Sequence, residues 1–154
     1  MDLMISRLGG TSVAREWIER PYAKDSGYRH SWWTGSTKGP VEFFSFTTEL
    51  HGEVARALTR SSSIVGDAYP TFDRPHHSLI ELDLFEVRVD LHDDGFGRSA
   101  VNLLLEAFPG PYFGFSRIVE TDGFWQRLGW VKHLHEDCPD HPSSSRATLF
   151  VAPG

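Results

Sequence analysis

The chain has 154 residues, of which 40% are hydrophobic and 23% are charged, and this composition predicts one globular domain, 1–154, with a sizeable core. Its formal net charge of −6 argues against nucleic acid as the main partner and suits a cationic substrate, although general solubility explains it equally well. With Cys138 as the single cysteine, no intrachain disulfide can form, which fits a cytoplasmic protein, and no apolar run is long enough for a membrane span.

The first third of the chain is predicted to be mostly extended and irregular. Residues 2–8 form a first strand, and Thr11 or Ser12 can cap a short helix that runs to about Glu19. Residues 21–40 are rich in glycine, serine, proline and aromatic side chains, so we expect a long loop there.

Two adjacent tryptophans, Trp32 and Trp33, lie in this loop and either pack beneath it or line a substrate pocket. The next segment, 41–59, consists of two β-prone runs on either side of His51-Gly52, which predicts a hairpin. Residues 60–77 then form a second loop.

A long strand is predicted over residues 78–91. Apolar residues alternate up to Leu84 and alternate again from Phe85, but in the opposite phase. Because a strand has a period of two, this change of phase predicts a β-bulge between the two residues. The strand also carries four acidic residues, Glu81, Asp83, Glu86 and Asp90.

The remainder alternates helices and strands. Apolar spacing predicts a helix over 98–108, a strand over 111–119 and a short helix over 122–129. The segments 130–135 and 147–152 are expected to pair as the last strands. Together, these predicted elements indicate an α/β (α+β) domain with a mixed, mostly antiparallel central sheet and one βαβ crossover.

The turn between the long strand and its helix has the features of a pyrophosphate site. Gly95 and Gly97 allow close backbone approach, and the helix N-terminus adds free N–H donors and a positive dipole end. Gly95 to Ala100 also matches the dinucleotide pattern G-x-G-x-x-G/A, with Glu120 near the place of a ribose-binding acid. A Rossmann domain needs several βαβ units, however, and only one is predicted here.

Two motifs resemble the GNAT superfamily of acyl-CoA-dependent N-acyltransferases. The turn from His92 to Gly97 resembles the Q/R-x-x-G-x-G/A sequence that holds the CoA pyrophosphate in that family. The segment from Phe124 to Trp130 resembles the pattern F-Y-x-x-x-G-F. The resemblance covers roughly residues 41–135, and the family's bulged strand is a third point of agreement.

The resemblance implies transfer of an acetyl group from acetyl-CoA to a primary amine, by direct attack in a ternary complex. It implies an amine acceptor that is either a small molecule or a protein, and a possible homodimer, with no metal expected. The net charge predicts no nucleic-acid partner, and the lack of a long apolar run predicts no membrane partner. The cofactor contacts that it implies are Phe85, Val87, His92, Asp93, Asp94, Gly95, Phe96, Gly97, Arg98, Ser99 and Trp125.

The resemblance also implies catalytic residues on the long strand. Alignment on the glycine turn places Glu81 at the position of a general base found in one branch of the family, with Asp83 as the second candidate. A solvated strand face explains both carboxylates equally well. Backbone N–H groups near Phe85 to Val87 are the expected donors to the thioester oxyanion.

Three departures from the family's pattern leave other functions open. His92 replaces the usual Gln or Arg, Asp93-Asp94 places carboxylates beside a phosphate site, and Trp125 replaces a tyrosine that protonates the leaving thiolate. The alternatives are a non-catalytic GNAT-like domain that binds acyl-CoA or a protein partner, and a nucleotide-dependent oxidoreductase.

A second cluster of potential ligands lies near the C-terminus. Three histidines, one aspartate and one cysteine lie within nine residues: His133, His135, Asp137, Cys138 and His141. Their types and spacing are compatible with Zn²⁺, but no family pattern supports a metal there, and none is expected.

Overall fold

The computed structural model describes residues 2–12, 16–24, 27–37, 39–62, 69, 71–72, 79–116, 119–136 and 148–153. The strands are β1 (Met4–Thr11), β2 (Glu16–Glu19), β3 (Thr34–Thr37), β4 (Val41–Thr48), β5 (Gly52–Ser62), β6 (Leu79–Val87), β7 (Tyr112–Ser116), β8 (Val131–His133) and β9 (Thr148–Val151). The helices are α1 (Phe96–Ala107) and α2 (Val119–Arg127), with a short 3₁₀ helix at Val89–Leu91.

Seven of these strands form one sheet in the order β1-β4-β5-β6-β7-β9-β8. The pairs β1–β4, β4–β5, β7–β9 and β8–β9 are antiparallel, whereas β6 and β7 are parallel and are connected through α1. The predicted mixed, mostly antiparallel sheet with one βαβ crossover is therefore confirmed.

The helix expected from Thr11 or Ser12 to Glu19 is wrong in its described part. Glu16–Glu19 is strand β2, and it pairs with β3 in a separate two-stranded sheet. The physical reason lies in the alternation within β2, because Trp17 is 71% exposed while the next residue, Ile18, packs on a buried core. Strand β3 likewise falls inside the stretch predicted as one loop.

The predicted hairpin is confirmed, with its turn at residues 49–51 and Gly52 as the first residue of β5. Gly52 has a φ of +68°, in the left-handed region that glycine adopts without strain. Strand β5 continues to Ser62, a little beyond the predicted end. Of the following predicted loop, 63–68, 70 and 73–77 lie outside the described residues.

Strand β6 ends at Val87, so the strand predicted to residue 91 is too long. The chain leaves the extended conformation because the Leu91 N–H bonds back to the Arg88 carbonyl and closes a 3₁₀ turn. The bulge expected between Leu84 and Phe85 stays a prediction, since the described register of β6 with β7 covers Ile80 and Glu81 only.

The remaining elements are confirmed with shifted ends. Helix α1 begins two residues earlier than expected, and Phe108 is its C-cap. Helix α2 begins at Val119, and the preceding strand is described over Tyr112–Ser116, with residues 117–118 outside the described part. Strands β8 and β9 pair as expected. Among the described residues no helix is long and apolar enough to cross a membrane.

The residues fall into two compact units. One comprises Met1–Ser61 and Leu82–Pro109, and the other comprises Ser62–Glu81 and Gly110–Gly154. One buried cluster of the first unit consists of Tyr22, Tyr28, Trp32, Val41, Phe43 and Leu58. One buried cluster of the second unit consists of Tyr69, Phe72, Leu79, Phe113, Leu149 and Val151.

In the first unit a buried tyrosine hydroxyl connects two paired strands. The Tyr22 hydroxyl donates to the Ala57 carbonyl of β5 at 2.7 Å and accepts the Phe44 N–H of β4 at 3.1 Å. Burial raises the pKa of this hydroxyl well above its usual range. The folded state therefore holds the neutral phenol, which can both donate and accept.

We expect Tyr22→Phe to destabilise the protein by about 1–3 kcal/mol, because it removes the partner of two buried backbone groups. In the unfolded chain Tyr22 ionises near pH 10, so the contribution of a neutral, buried Tyr22 is complete below that pH and declines above it. Denaturant unfolding between pH 7 and 11 should show the two proteins converging at high pH. Equal stability at pH 8 would contradict this role.

Candidate functional site

The turn before α1 has the backbone shape that an anion site requires. Asp93 has a φ of +71° and Gly95 a φ of +81°, so the chain passes twice through the left-handed region before the helix starts. Gly95 is the N-cap of α1 and supplies no side-chain cap. The first intrahelical bond runs from the Ser99 N–H to the Gly95 carbonyl at 3.2 Å. The N–H groups of the first helical turn are thus left to an external acceptor.

The apolar face of α1 is buried, which fixes the direction of those N–H groups. Phe96, Ala100, Val101 and Leu104 are the buried residues of the helix. The Phe96 ring also meets the His51 ring edge-to-face, with the ring centres 5.8 Å apart. Phe96, a predicted cofactor contact, can therefore offer a ligand its backbone N–H but not its side chain.

The charged side chains of the turn lie at the surface. His92, Asp93, Asp94 and Arg98 are all exposed, so two carboxylates and one guanidinium surround the helix N-terminus. The His92 Nε2 lies 3.0 Å from the Val87 carbonyl, at the end of β6. When that nitrogen carries the proton, His92 caps the strand, which supports its interpretation as a turn residue rather than a phosphate ligand.

Arg88, which no sequence pattern singles out, holds the start of this turn in place through hydrogen bonds. Its Nη1 donates to the carbonyls of His51 at 2.9 Å and Glu53 at 2.8 Å. Its Nε and Nη2 donate to the Asp90 carboxylate at 2.7 and 3.1 Å. These hydrogen bonds lower the pKa of Asp90. A single guanidinium therefore joins the end of β6 to the start of β5 and to the 3₁₀ helix.

Glu86 is a second residue to which the sequence analysis assigns no separate role, because it is one of four acidic residues in the predicted strand. Its buried carboxylate accepts the N–H groups of Arg29 at 2.5 Å and His30 at 3.1 Å, and the Trp32 indole N–H at 2.9 Å. A charged group buried in this way needs such donors. Glu86 therefore fixes the loop that precedes β3, and Trp32 is a core residue rather than a pocket wall.

The neighbours of Glu86, Phe85 and Val87, are the expected sources of oxyanion donors. Both side chains are half-buried, and the Phe85 ring lies edge-to-face on the Phe46 ring at 6.3 Å. Their backbone positions at the end of β6 agree with the predicted role. That role stays a prediction.

The two candidate bases differ in their surroundings. Glu81 is 4% exposed and lies opposite Phe113 in the parallel ladder of β6 and β7. Asp83 is half-buried and lies 3.6 Å from the guanidinium of Arg60. Asp83 thus has an arginine as its neighbour, which supports a structural role for this side chain.

A further acidic residue, Glu53 in β5, is paired with a cation of the protein. Glu53 accepts the Arg56 Nε–H at 2.7 Å and the Ser45 hydroxyl. Arg56 is itself fully buried, with its guanidinium 4.1 Å from the centre of the Tyr28 ring. Since Glu53 neutralises a buried cation, its own charge does not indicate a cationic substrate.

Trp125 is a packed residue of the second unit. It is 8% exposed, stacks on Phe150 and lies against Trp130, with ring centres 6.1 and 4.8 Å apart. A Cβ added to Gly114 would lie 2.8 Å from the indole, so β7 needs glycine at that point. The core role is therefore supported for Trp125, and its predicted cofactor contact stays a prediction.

The two described histidines of the possible zinc cluster contact side chains that are not metal ligands of that cluster. His133 Nδ1 lies 2.8 Å from the Thr71 hydroxyl, and the His135 ring meets Tyr69 at 5.4 Å. Asp137, Cys138 and His141 lie outside the described residues. Within the described part of the chain no group of three or more metal-ligating side chains comes together.

Comparison with solved structures identifies the fold. The N-acetyltransferase YlbP of Bacillus subtilis, solved in complex with coenzyme A, matches with a TM-score of 0.51 and 20% identity, over 72% of this chain and 67% of that protein. An acetyltransferase from Thermus thermophilus matches with a TM-score of 0.51 and 16% identity, over 74% of this chain and 64% of that one. The matched parts thus span about two thirds of those proteins.

A third structure, AtaT complexed with acetyl-methionyl-tRNAfMet, matches with a TM-score of 0.55 and 13% identity, over 97% of this chain and 94% of that one. No protein-family model and no curated protein sequence matches the chain. At these identities the likeness concerns the fold, and the fold expected from the two sequence motifs is confirmed.

Proposed function

We propose, from the GNAT fold that this chain adopts, that it is an acetyltransferase that uses acetyl-CoA to acetylate a primary amine. The observation that carries the proposal is the turn from His92 to Gly95 and the helix that follows it. Two left-handed residues and an N-cap without a side chain leave backbone N–H groups for an anion. The CoA pyrophosphate is the anion that suits this fold, and the YlbP structure contains coenzyme A.

The reaction needs few groups from the protein. The amine nitrogen attacks the thioester carbonyl carbon, the C–S bond breaks, and the product is an amide and the CoA thiol. Holding both substrates together lowers the barrier by several kcal/mol. Backbone N–H groups of Phe85 and Val87 are our candidates to stabilise the oxyanion.

Glu81 is our candidate for the base that takes the proton from the attacking ammonium. It is our first choice because alignment on the glycine turn places it at the general-base position found in one branch of the family. Trp125 has only an indole N–H, which donates a hydrogen bond but is far too weak an acid to protonate a thiolate. In this proposal the thiolate is protonated through water, and the proton that is consumed is replaced by the second proton that the amine nitrogen loses as the amide forms.

The acceptor is defined only as an amine. The AtaT structure contains an acetylated aminoacyl-tRNA, so an amine carried by a nucleic acid belongs among the acceptors to be tested. A non-catalytic domain that binds acyl-CoA or a protein partner is the second candidate function. The observations that favour it are the packed Trp125 and the exposed carboxylates of Asp93 and Asp94.

We expect CoA and acetyl-CoA to bind saturably and Gly97→Glu to abolish binding, because a glutamate in the first turn of α1 introduces bulk and negative charge at the pyrophosphate. Calorimetric titration measures this, with Ser61→Glu as the control that adds the same charge on an exposed residue of β5. Failure of the wild type to bind any CoA species would refute the cofactor assignment, and NADH binding would favour the oxidoreductase.

We expect Asp93→Asn to tighten CoA binding by about 2- to 5-fold, because it removes an exposed like charge beside the phosphates. Asparagine tolerates the left-handed φ of this position, so the turn keeps its shape. The gain should shrink at high salt. Asp2→Asn removes an exposed carboxylate elsewhere and serves as the control. Weaker binding by Asp93→Asn would mean that the carboxylate helps to hold the ligand.

Glu81→Gln should lower kcat on the order of 10²- to 10⁴-fold without changing the KM for acetyl-CoA, because glutamine has the same shape but accepts no proton. The assay measures thiol release with a panel of polyamines, peptide amines and aminoacyl-tRNA. Asp83→Asn is the matched comparison. If Asp83→Asn stops turnover and Glu81→Gln does not, the assignment of the base is reversed. If no amine is acetylated, the binding-domain alternative is favoured.

A further inference from the structure

Arg88 connects two elements at the end of β6. Its backbone N–H donates to the Val54 carbonyl at 2.8 Å, and its Nη1 donates to the carbonyls of His51 and Glu53. Three bonds therefore attach one residue to the first residues of β5 and the turn before it. The side chain is 23% exposed, so this attachment is largely protected from water.

The other edge of the same guanidinium faces the CoA turn. Nε and Nη2 donate in parallel to the two oxygens of Asp90, which lies in the 3₁₀ helix that leads into the turn. Only a planar fork with several donors can hold a carboxylate on one edge and two carbonyls on the other. Lysine, a single point donor, can reproduce one half of this arrangement.

The C-terminal end of the turn also packs against the same part of the hairpin. Phe96, the first residue of α1, packs its ring against His51, whose carbonyl accepts a bond from Arg88. The turn is therefore fixed at both ends to one short stretch of chain, residues 51–54. Because the backbone N–H groups of the turn are the anion donors, the position of this stretch determines where the donors lie.

We infer that Arg88 is a positioning residue for the CoA-binding turn, which it holds to the β4–β5 hairpin without itself contacting the cofactor. The inference rests on the proposed function, because it assigns the turn to CoA. Without the hydrogen bonds of Arg88, the backbone N–H groups of the turn should shift from their positions relative to the cofactor. A displacement of about 1 Å can cost on the order of 10²-fold in function.

The experiment compares the Kd values of CoA and of dephospho-CoA, which lacks the 3′-phosphate, for five proteins. These are the wild type, Arg88→Met, Arg88→Lys, Asp90→Asn and Arg7→Met. Arg7→Met is the matched control, because Arg7 forms an exposed ion pair with Glu42 in β1 and β4. We expect Arg88→Met to weaken both ligands by the same factor, on the order of 10- to 100-fold. Arg88→Lys and Asp90→Asn should be intermediate, because each keeps part of the hydrogen bonding, and Arg7→Met should change Kd less than about 2-fold.

Amide hydrogen exchange separates positioning from general destabilisation. In Arg88→Met the Ser99 amide, which makes the first bond of α1, should exchange faster, while the buried Phe44 amide on Tyr22 should not change. Faster exchange of both amides would indicate a merely structural role and overturn the inference. If Arg88→Met does not fold, the same two amides and Kd values in Arg88→Lys decide.

The binding results have distinct meanings. Loss of affinity for CoA alone would show that Arg88 contacts the 3′-phosphate directly, which overturns the positioning role. Unchanged affinity for both ligands would overturn it as well. Failure of the wild type to bind either ligand would instead refute the proposed function, so the two failures are distinguishable.

Discussion

The first unit depends on how the chain reverses between the end of β6 and the start of α1. Eight residues separate Val87 from Phe96, and in that space the backbone must leave an extended strand, turn and begin a helix. The 3₁₀ helix, two positive φ angles and the Arg88 hydrogen bonds together accomplish this. The same reversal directs the free N–H groups of the helix outward, so the constraint that shapes the fold also produces the anion site.

Much of the fold was predictable because it depends on local signals. The change from period two in β6 to helical spacing in α1, with glycines between, predicts a strand, a turn and a helix whatever surrounds them. The hairpin at His51-Gly52 follows in the same way. Glu16–Glu19 was predicted wrongly, because four residues are too few for periodicity to decide, and the pairing with β3 is a contact between distant segments.

The chemistry of the candidate site was less predictable, because it depends on which charges find partners. In the sequence, Glu53, Asp83 and Glu86 look equivalent, and each could bind a cationic substrate. In the fold, Glu53 neutralises Arg56, Asp83 faces Arg60, and Glu86 receives three N–H donors. Sequence spacing cannot specify such pairs, since the partners lie between 3 and 57 residues away.

These partnerships change how the acidity of the chain should be interpreted. A net charge of −6 suggests an electrostatic preference for a cation, yet the buried carboxylates stabilise the protein's own loops and cations. The carboxylates that remain exposed beside the turn, Asp93 and Asp94, oppose the ligand that the turn would hold. Binding there must come from directed backbone N–H groups and the helix dipole, whose effect is short-ranged and depends on geometry. A site of this kind tolerates an unfavourable surface charge but not a displaced backbone, and the turn is accordingly fixed to the hairpin at both ends.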